Sequence, residues 1–240
     1  IEDVLVTMWG DNGKECSFFA SLPVLYALRQ YADGNFDEKE IADGFQRDTG
    51  LCYEDFKALE LPDFLGPGSD GFYHPENPSK CLLYNDCFLG AFDRAAEKYD
   101  YRFAEKAVRL AEAAFRAGEF SYLFETLSAL CSILELKASL GVEELGVLIG
   151  DYRKTISRLE MFYEKFKTLW FKENKPFGWE IQDARLGGLI LRIRSCADRL
   201  EKYVEGKISA VEELEENILP FGSDEPQCNV YCRLISRSEI

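Results

Sequence analysis

The feature that most constrains the fold is a stripe of apolar side chains with helical spacing in the second half of the chain. Between residues 142 and 172, apolar and aromatic residues recur every three to four positions, and similar stripes cover residues 119–140 and 180–205. Residues 86–117 are predicted as one helix, or as two that meet near Asp100, and residues 207–218 as a last short helix. Long amphipathic helices joined by short polar turns are typical of an antiparallel bundle.

The beginning of the chain has a different pattern. Residues 4–9, V-L-V-T-M-W, form an apolar run that predicts a strand buried on both faces of a parallel sheet. A W-G-D-N-G turn follows, and residues 15–32 are predicted as a helix that ends at Gly34. A lone parallel strand lacks hydrogen-bond partners, so either other strands are supplied from elsewhere or the unit packs alone onto the rest of the chain. Because the chain starts at Ile1 inside this element, we expect it to be a fragment.

The expected fold class is mainly α, an antiparallel helical bundle preceded by a single β/α unit. Short helices are predicted at residues 37–47 and 53–60, with Asp37 as the N-cap of the first, and a loop rich in Pro and Gly at 61–80. The tail at 228–235, C-N-V-Y-C-R-L-I, alternates weakly and is predicted to add a short strand. The expected division is 1–35 for the β/α unit, 36–85 for the short helices and loop, and 86–240 for the helical domain.

The charge and the cysteine content argue against several classes of function. The net charge is −15, and phosphate binding needs a basic surface, so we expect neither a nucleic-acid partner nor docking on an anionic membrane. The eight cysteines include no C-x-x-C pair and His74 is the single histidine, so we expect no metal and no cofactor. Free thiols favour a reduced, cytoplasmic compartment. The apolar runs are far shorter than the roughly twenty residues of a membrane span.

Four stretches together carry a family resemblance. V-x-M-W-G-D-N-G-x-E-C-S at residues 6–17 resembles the eighth barrel strand of glycoside hydrolase family 20, the β-N-acetylhexosaminidases. Three later stretches are similar to one bacterial subgroup of that family. They are N-P-S-K-C-L-L-Y-N-D at 77–86, L-x-A-L-C-x-I-L-E-L-K-A-x-L-G at 127–141, and W-F-K-E-N-K-P-F-G-W-E-I-Q-D-A-R-L-G-G-L at 170–189.

The resemblance implies a (β/α)8 barrel followed by a helical C-terminal domain, of which this chain is the last β/α unit and that domain. In this family the substrate's own acetamido oxygen is the nucleophile, and an adjacent Asp-Glu pair at the end of an earlier strand orients it and supplies the general acid. That pair is expected upstream of Ile1. We therefore expect no catalytic residue in this chain, which would be a hydrolase fragment that is inactive alone.

Residues around the W-G-D-N-G turn are candidates for binding a GlcNAc-type sugar, because barrel chemistry lies at the C-terminal ends of the strands. Trp9 offers an apolar face to a pyranose, or it is a core residue at a strand end. Asp11 and Asn12 offer hydrogen bonds to sugar hydroxyls, or they form a cap and a turn. Glu15 is a further binding candidate, or a first-turn charge that the helix dipole favours.

A second candidate is the K-P-F-G-W-E loop at 175–180, which joins two long helices. Its Trp179 is predicted to reach an active site in its own or a neighbouring subunit, or else to pack on the bundle. Arg185 with Gly187 and Gly188 is interpreted as close helix packing. A homodimer is a possible assembly, in which this loop would approach the neighbouring subunit.

Other acidic groups do not fit the catalytic pair. Asp37-Glu38 is explained by helix capping, Asp224-Glu225 comes after the last barrel strand, and His74 lies in a Pro-rich loop. The predicted function is the C-terminal part of a β-N-acetylhexosaminidase, which supplies pocket-wall residues and assembly contacts, with the upstream barrel of the same protein as its partner. The alternative is a stand-alone acidic helical module for interaction or dimerisation. The choice between GlcNAc and GalNAc stays open.

Overall fold

The computed structural model describes residues 5–7, 15–64, 78–90, 101–140 and 145–215, together with Tyr231 and Ile235. Helices make up most of these residues, and none of the described residues lies in a strand. Short 3-10 turns lie at Phe19–Ser21, Ala58–Glu60 and Gly118–Phe120. The helices are α1 Leu22–Ala32, α2 Glu38–Thr49, α3 Tyr53–Lys57, α4 Pro78–Tyr84, α5 Phe103–Ala114, α6 Ser121–Ser139, α7 Leu145–Glu173, α8 Trp179–Val204 and α9 Glu212–Glu215.

Helices α5 to α8 form the bundle, because each packs along the next. Tyr163 of α7 bonds Asp183 of α8, and Arg153 further back in α7 bonds Glu201 further along α8. Residue numbers thus fall along one helix as they rise along the other, which makes the pair antiparallel. The core holds fully buried side chains from all four helices, among them Leu110, Phe124, Leu134, Leu159 and Ile193. The prediction of a mainly helical chain is confirmed.

The first three helices pack on the bundle through aromatic rings. The ring of Phe56 meets Phe124 of α6 edge to face at 5.4 Å and Phe45 of α2 at 5.9 Å. Beside them, Asp55 accepts two hydrogen bonds from Arg116, both at 2.8 Å. Edge-to-face rings add to the free energy of burying their apolar area. Helices α2 and α3 are therefore part of the same packed body as the bundle.

Helix α1 is shorter than predicted. It begins at Leu22, after a 3-10 turn, whereas the spacing predicts a start at residue 15. Ser17 Oγ accepts a hydrogen bond from the backbone N–H of Phe19 at 3.0 Å, which favours a turn over a helix. Pro23 lies in the first helical turn, where its missing N–H costs nothing. Glu15 is therefore in an irregular segment before the helix.

Two other predictions need correction. The loop predicted at 61–80 overlaps the first three residues of α4, which begins at Pro78. The start of α4 is fixed by Asp63 Oδ1, which accepts a hydrogen bond from the N–H of Ser79 at 2.9 Å. The helix predicted at 86–117 does not start at residue 86, since residues 87–89 form a turn. Residues 91–100 lie outside the described residues, and the described helix runs over Phe103–Ala114. Asp86 Oδ1 accepts from two backbone N–H groups of that turn, both at 2.9 Å. In both cases an Asp side chain decides the local path.

The predicted strands are not seen in the described residues. Residues 5–7 form neither strand nor helix, and the rest of the segment 4–9 lies outside the described residues. Leu5 is 89% exposed, as expected for an apolar strand without a partner strand. In the tail, Tyr231 and Ile235 are helical, which differs from the predicted terminal strand. None of the described helices is long and apolar enough to cross a membrane.

The N-cap of α2 gives a first testable prediction. Asp37 Oδ1 accepts from the N–H of Glu40 at 2.9 Å, as the sequence predicts. We expect Asp37→Ala to lower the free energy of unfolding by about 1 kcal/mol, because one backbone N–H loses its partner. Urea unfolding measures the change. Asp198→Ala, an exposed acid inside α8, is the control, and equal effects of the two changes would contradict the capping role.

Candidate functional site

Glu15 lies between two cations that come from different helices. Its Oε2 is 2.8 Å from Nζ of Lys80 in α4, and its Oε1 accepts a hydrogen bond from Nη1 of Arg185 in α8 at 2.9 Å. The Lys80 side chain is 8% exposed and the Arg185 side chain is 11% exposed. These three residues are called the Glu15 cluster. Charge-assisted bonds at such distances are the strongest polar contacts of a protein, and low solvent exposure strengthens them.

Two tyrosines extend the Glu15 cluster. The Arg185 guanidinium lies 4.6 Å from the centre of the Tyr231 ring, and Tyr231 meets Tyr84 edge to face at 4.9 Å. Burial raises the pKa of Tyr84 well above its ordinary value, and the nearby Glu15 carboxylate raises it further. Tyr84 is therefore a neutral phenol at any physiological pH. Its contribution is packing and orientation, not proton transfer.

A second contact ties the same segment to the end of α7. Ser17 Oγ donates to Oε1 of Glu173 at 2.6 Å. Phe19 packs its ring 5.5 Å from the ring of Phe120, at the start of α6. Residues 15–19 are therefore attached to the bundle by an ion cluster, a hydrogen bond and an aromatic contact.

A cavity of about 470 Å³ opens beside Tyr84 and Tyr231. Asp86 and Arg192 both line it and form a two-pronged pair, with Nε to Oδ2 at 2.6 Å and Nη2 to Oδ1 at 2.9 Å. Burial alone would raise the pKa of Asp86, but Arg192 and two backbone N–H groups outweigh it and lower the pKa. An ionised, paired carboxylate is a poor general acid at neutral pH. The described lining residues are Tyr84, Asn85, Asp86, Cys87, Leu89, Gly188, Leu189, Arg192, Ile193, Glu213, Tyr231 and Ile235.

Trp179 lies inside the bundle. It is 6% exposed and contacts the rings of Tyr163, Phe166, Trp170 and Phe171 at centre distances of 5.5, 5.7, 5.9 and 5.7 Å. The preceding Gly178 has φ of 96°, and a Cβ there would lie 3.2 Å from the Trp170 ring. This position matches the packing alternative, and a contact of Trp179 with sugar stays a prediction.

The structure brings together only part of the predicted site. Trp9, Asp11 and Asn12 lie outside the described residues. Glu15 is described, and its partners Lys80 and Arg185 are residues that the sequence analysis did not assign to the site. Arg185 is separated from Glu15 by 170 positions, so no local pattern could have paired them. The available signal was Lys80, a cation in the otherwise apolar stretch that becomes α4.

Metal-binding and thiol chemistry find little support in the described part of the chain. There, no group of three or more His, Cys, Asp or Glu side chains is placed to hold a metal ion. Burial raises the pKa of the Cys131 and Cys196 thiols to about 12. Thiols of this kind are inert at neutral pH, because the thiolate is the reactive form.

The position of Trp179 gives a second prediction. We expect Trp179→Ala to lower the free energy of unfolding by about 3–5 kcal/mol, because a large ring leaves a packed aromatic cluster. Phe177→Ala is the matched control in the same loop, since Phe177 is 84% exposed and its loss should change stability by less than about 0.5 kcal/mol. Chemical unfolding of both variants measures the difference. Similar small losses would contradict the buried position of Trp179.

The Asp86–Arg192 pair gives a third prediction. Because the folded state lowers the pKa of Asp86, the pair stabilises the fold fully above about pH 4, and this stabilisation is lost as the pH falls below that value. We expect Asp86→Asn to lower the free energy of unfolding by about 2 kcal/mol at pH 7, and to make that free energy less dependent on pH below about pH 4. Urea unfolding at pH 7, 4 and 3 tests it. Parallel pH curves for the two proteins would contradict the assignment.

The comparison with known families agrees with these features. The family model described as Glycoside Hydrolase 20C C-terminal domain matches residues 54–232, which include helices α4 to α9. Three of the four stretches that carry the resemblance, at 77–86, 127–141 and 170–189, lie inside the match, and the stretch at 6–17 lies before it. No curated protein matches the chain. The chain therefore belongs to the Glycoside Hydrolase 20C C-terminal domain family.

Proposed function

We propose that the chain is the C-terminal part of a bacterial, cytoplasmic β-N-acetylhexosaminidase, which removes terminal N-acetyl-D-hexosamine residues with retention of configuration. The family match over the helical domain is the observation that carries the proposal. The W-G-D-N-G turn resembles the end of the eighth barrel strand, and this resemblance is the basis for including a sugar pocket in the proposal. The residues of that turn lie outside the described residues, so the pocket is argued from sequence.

The contacts of residues 15–19 support a link between the turn and the helical domain. Glu15 comes two residues after Gly13, the last residue of the turn, and it is bound by Lys80 and Arg185 of the matched domain. Ser17 adds a hydrogen bond to Glu173. Residues 15–17, held by the helical domain directly after the predicted strand end, fit a barrel whose last unit packs on that domain.

The chemistry divides between the chain and its upstream barrel. In the parent enzyme the acetamido oxygen of the substrate attacks the anomeric carbon, and an upstream Asp-Glu pair orients that group and protonates the leaving oxygen. Trp9 would cover the apolar face of the sugar, and Asp11 and Asn12 would bind its hydroxyls. The chain alone would bind weakly and hydrolyse nothing.

A second candidate function is a stand-alone acidic module for interaction or dimerisation. It is favoured by apolar side chains exposed at one end of the α7–α8 pair, where Phe177 is 84%, Phe171 47% and Ile181 44% exposed. Exposed apolar groups that lie close together often mark contact surfaces. A homodimer that uses this end is compatible with both candidates, because the 175–180 loop could approach a neighbouring subunit's site.

Hydrolysis of a chromogenic N-acetyl-β-glucosaminide separates the two candidates. We expect no activity from the 240-residue chain and clear activity from a protein extended through the upstream barrel, because the family resemblance implies that the Asp-Glu pair lies in that barrel. In the extended protein, Asp11→Asn should raise KM by about tenfold, because the sugar loses one charge-assisted hydrogen bond. Asp198→Asn is the control. Inactivity of the extended protein would contradict the proposal, and a stable dimer without sugar affinity would favour the second candidate.

A further inference from the structure

Both carboxylate oxygens of Glu15 are already occupied. One is bound by Lys80 at 2.8 Å and the other by Arg185 at 2.9 Å, and both cations are nearly buried. Moving the carboxylate to a sugar hydroxyl would break two charge-assisted bonds in a poorly hydrated place, which is costly. Glu15 is therefore suited to hold a position.

Stability alone gives a weak reason for this arrangement. Buried ion pairs lose hydration on folding, and apolar groups of similar size often stabilise a protein as well or better. What a buried pair adds is geometric definition, because charge-assisted bonds fix direction as well as distance. The stacking of Arg185 on the Tyr231 ring fixes the guanidinium further.

The sequence places this fixed point close to the predicted pocket wall. Glu15 comes four positions after Asp11, with only three residues between them, so the fixed point is close in the chain to the predicted wall residues. The hydrogen bond from Ser17 to Glu173 fixes the chain again two residues later. Residues 15 and 17, which follow the W-G-D-N-G turn in the sequence, are thus held by helices of the C-terminal domain.

We propose that Glu15, Lys80 and Arg185 are positioning residues, through which the helical domain sets the place of Trp9 and Asp11 in the sugar pocket. The inference rests on the proposed function. It gives the helical domain a role in substrate affinity that is transmitted by one ion cluster. It also replaces direct sugar binding by Glu15 with an indirect effect.

A double-mutant cycle on the extended protein tests the inference. We expect Glu15→Gln and Arg185→Gln each to raise KM for the chromogenic glucosaminide by about tenfold with kcat unchanged, because displaced wall residues weaken ground-state and transition-state binding alike. The double variant should be no worse than either single variant. Arg185→Lys should restore part of the affinity, because Lys keeps the charge that binds Glu15 but loses the guanidinium that stacks on Tyr231.

The control is Asp43→Asn, which breaks the exposed Lys39–Asp43 pair on α2 and should leave KM unchanged. Thermal unfolding of every variant is measured in parallel. If Arg185→Gln does not fold, Lys80→Gln with Glu15→Gln completes the cycle. With Lys80 in place of Arg185, the effects of the two substitutions on KM are still expected to be non-additive.

The other outcomes contradict the inference in distinguishable ways. Additive effects on KM would show that Glu15 contacts the sugar independently of its cations. Lower melting temperatures with unchanged KM would show that the cluster serves stability alone. An unmutated extended protein without hydrolytic activity would instead contradict the proposed function, on which the inference rests.

Discussion

The attachment of the segment around Glu15 to the helical bundle depends on one carboxylate that binds two cations. Glu15 precedes the first helix, Lys80 lies in α4 and Arg185 in α8, so a single group ties together three distant parts of the sequence. Because the side chains of both cations are largely shielded from water, the attraction is screened far less than in a surface pair. The same tie gives Glu15 and the residues that follow it a defined place on the bundle, although no strand lies among the described residues to hold them.

The bundle provides a rigid support for this tie. Trp179 and its four aromatic neighbours pack the turn between α7 and α8, and Gly178 permits the close approach of Trp170. Glu173, the last residue of α7, binds Ser17, so the packed turn also borders the segment that carries Glu15. An aromatic cluster of this kind changes shape only at high cost, because interiors are close-packed. Movements of the helical domain would therefore be transmitted to residues 15–19.

Local signals in the sequence predicted much of the fold. The cap at Asp37 and the α7 and α8 helices follow from spacing and capping chemistry, which act within one or two turns. Helix α4 was missed, because Pro78 and its polar neighbours favour a loop unless Asp63 caps the chain. The Glu15 cluster could not be predicted, since it joins residues far apart in sequence. The resemblance identified the family, but it gave no reason to connect Lys80 and Arg185 with Glu15.

The most direct test of this account is the structure of the extended protein with N-acetylglucosamine bound. The account predicts that the sugar contacts Trp9 and Asp11. It also predicts that Glu15 stays on Lys80 and Arg185, with its carboxylate out of contact with the sugar. A sugar bound away from residues 9–13 would contradict the role of the turn. A Glu15 carboxylate that leaves its two cations to bind the sugar would contradict the positioning role of the cluster.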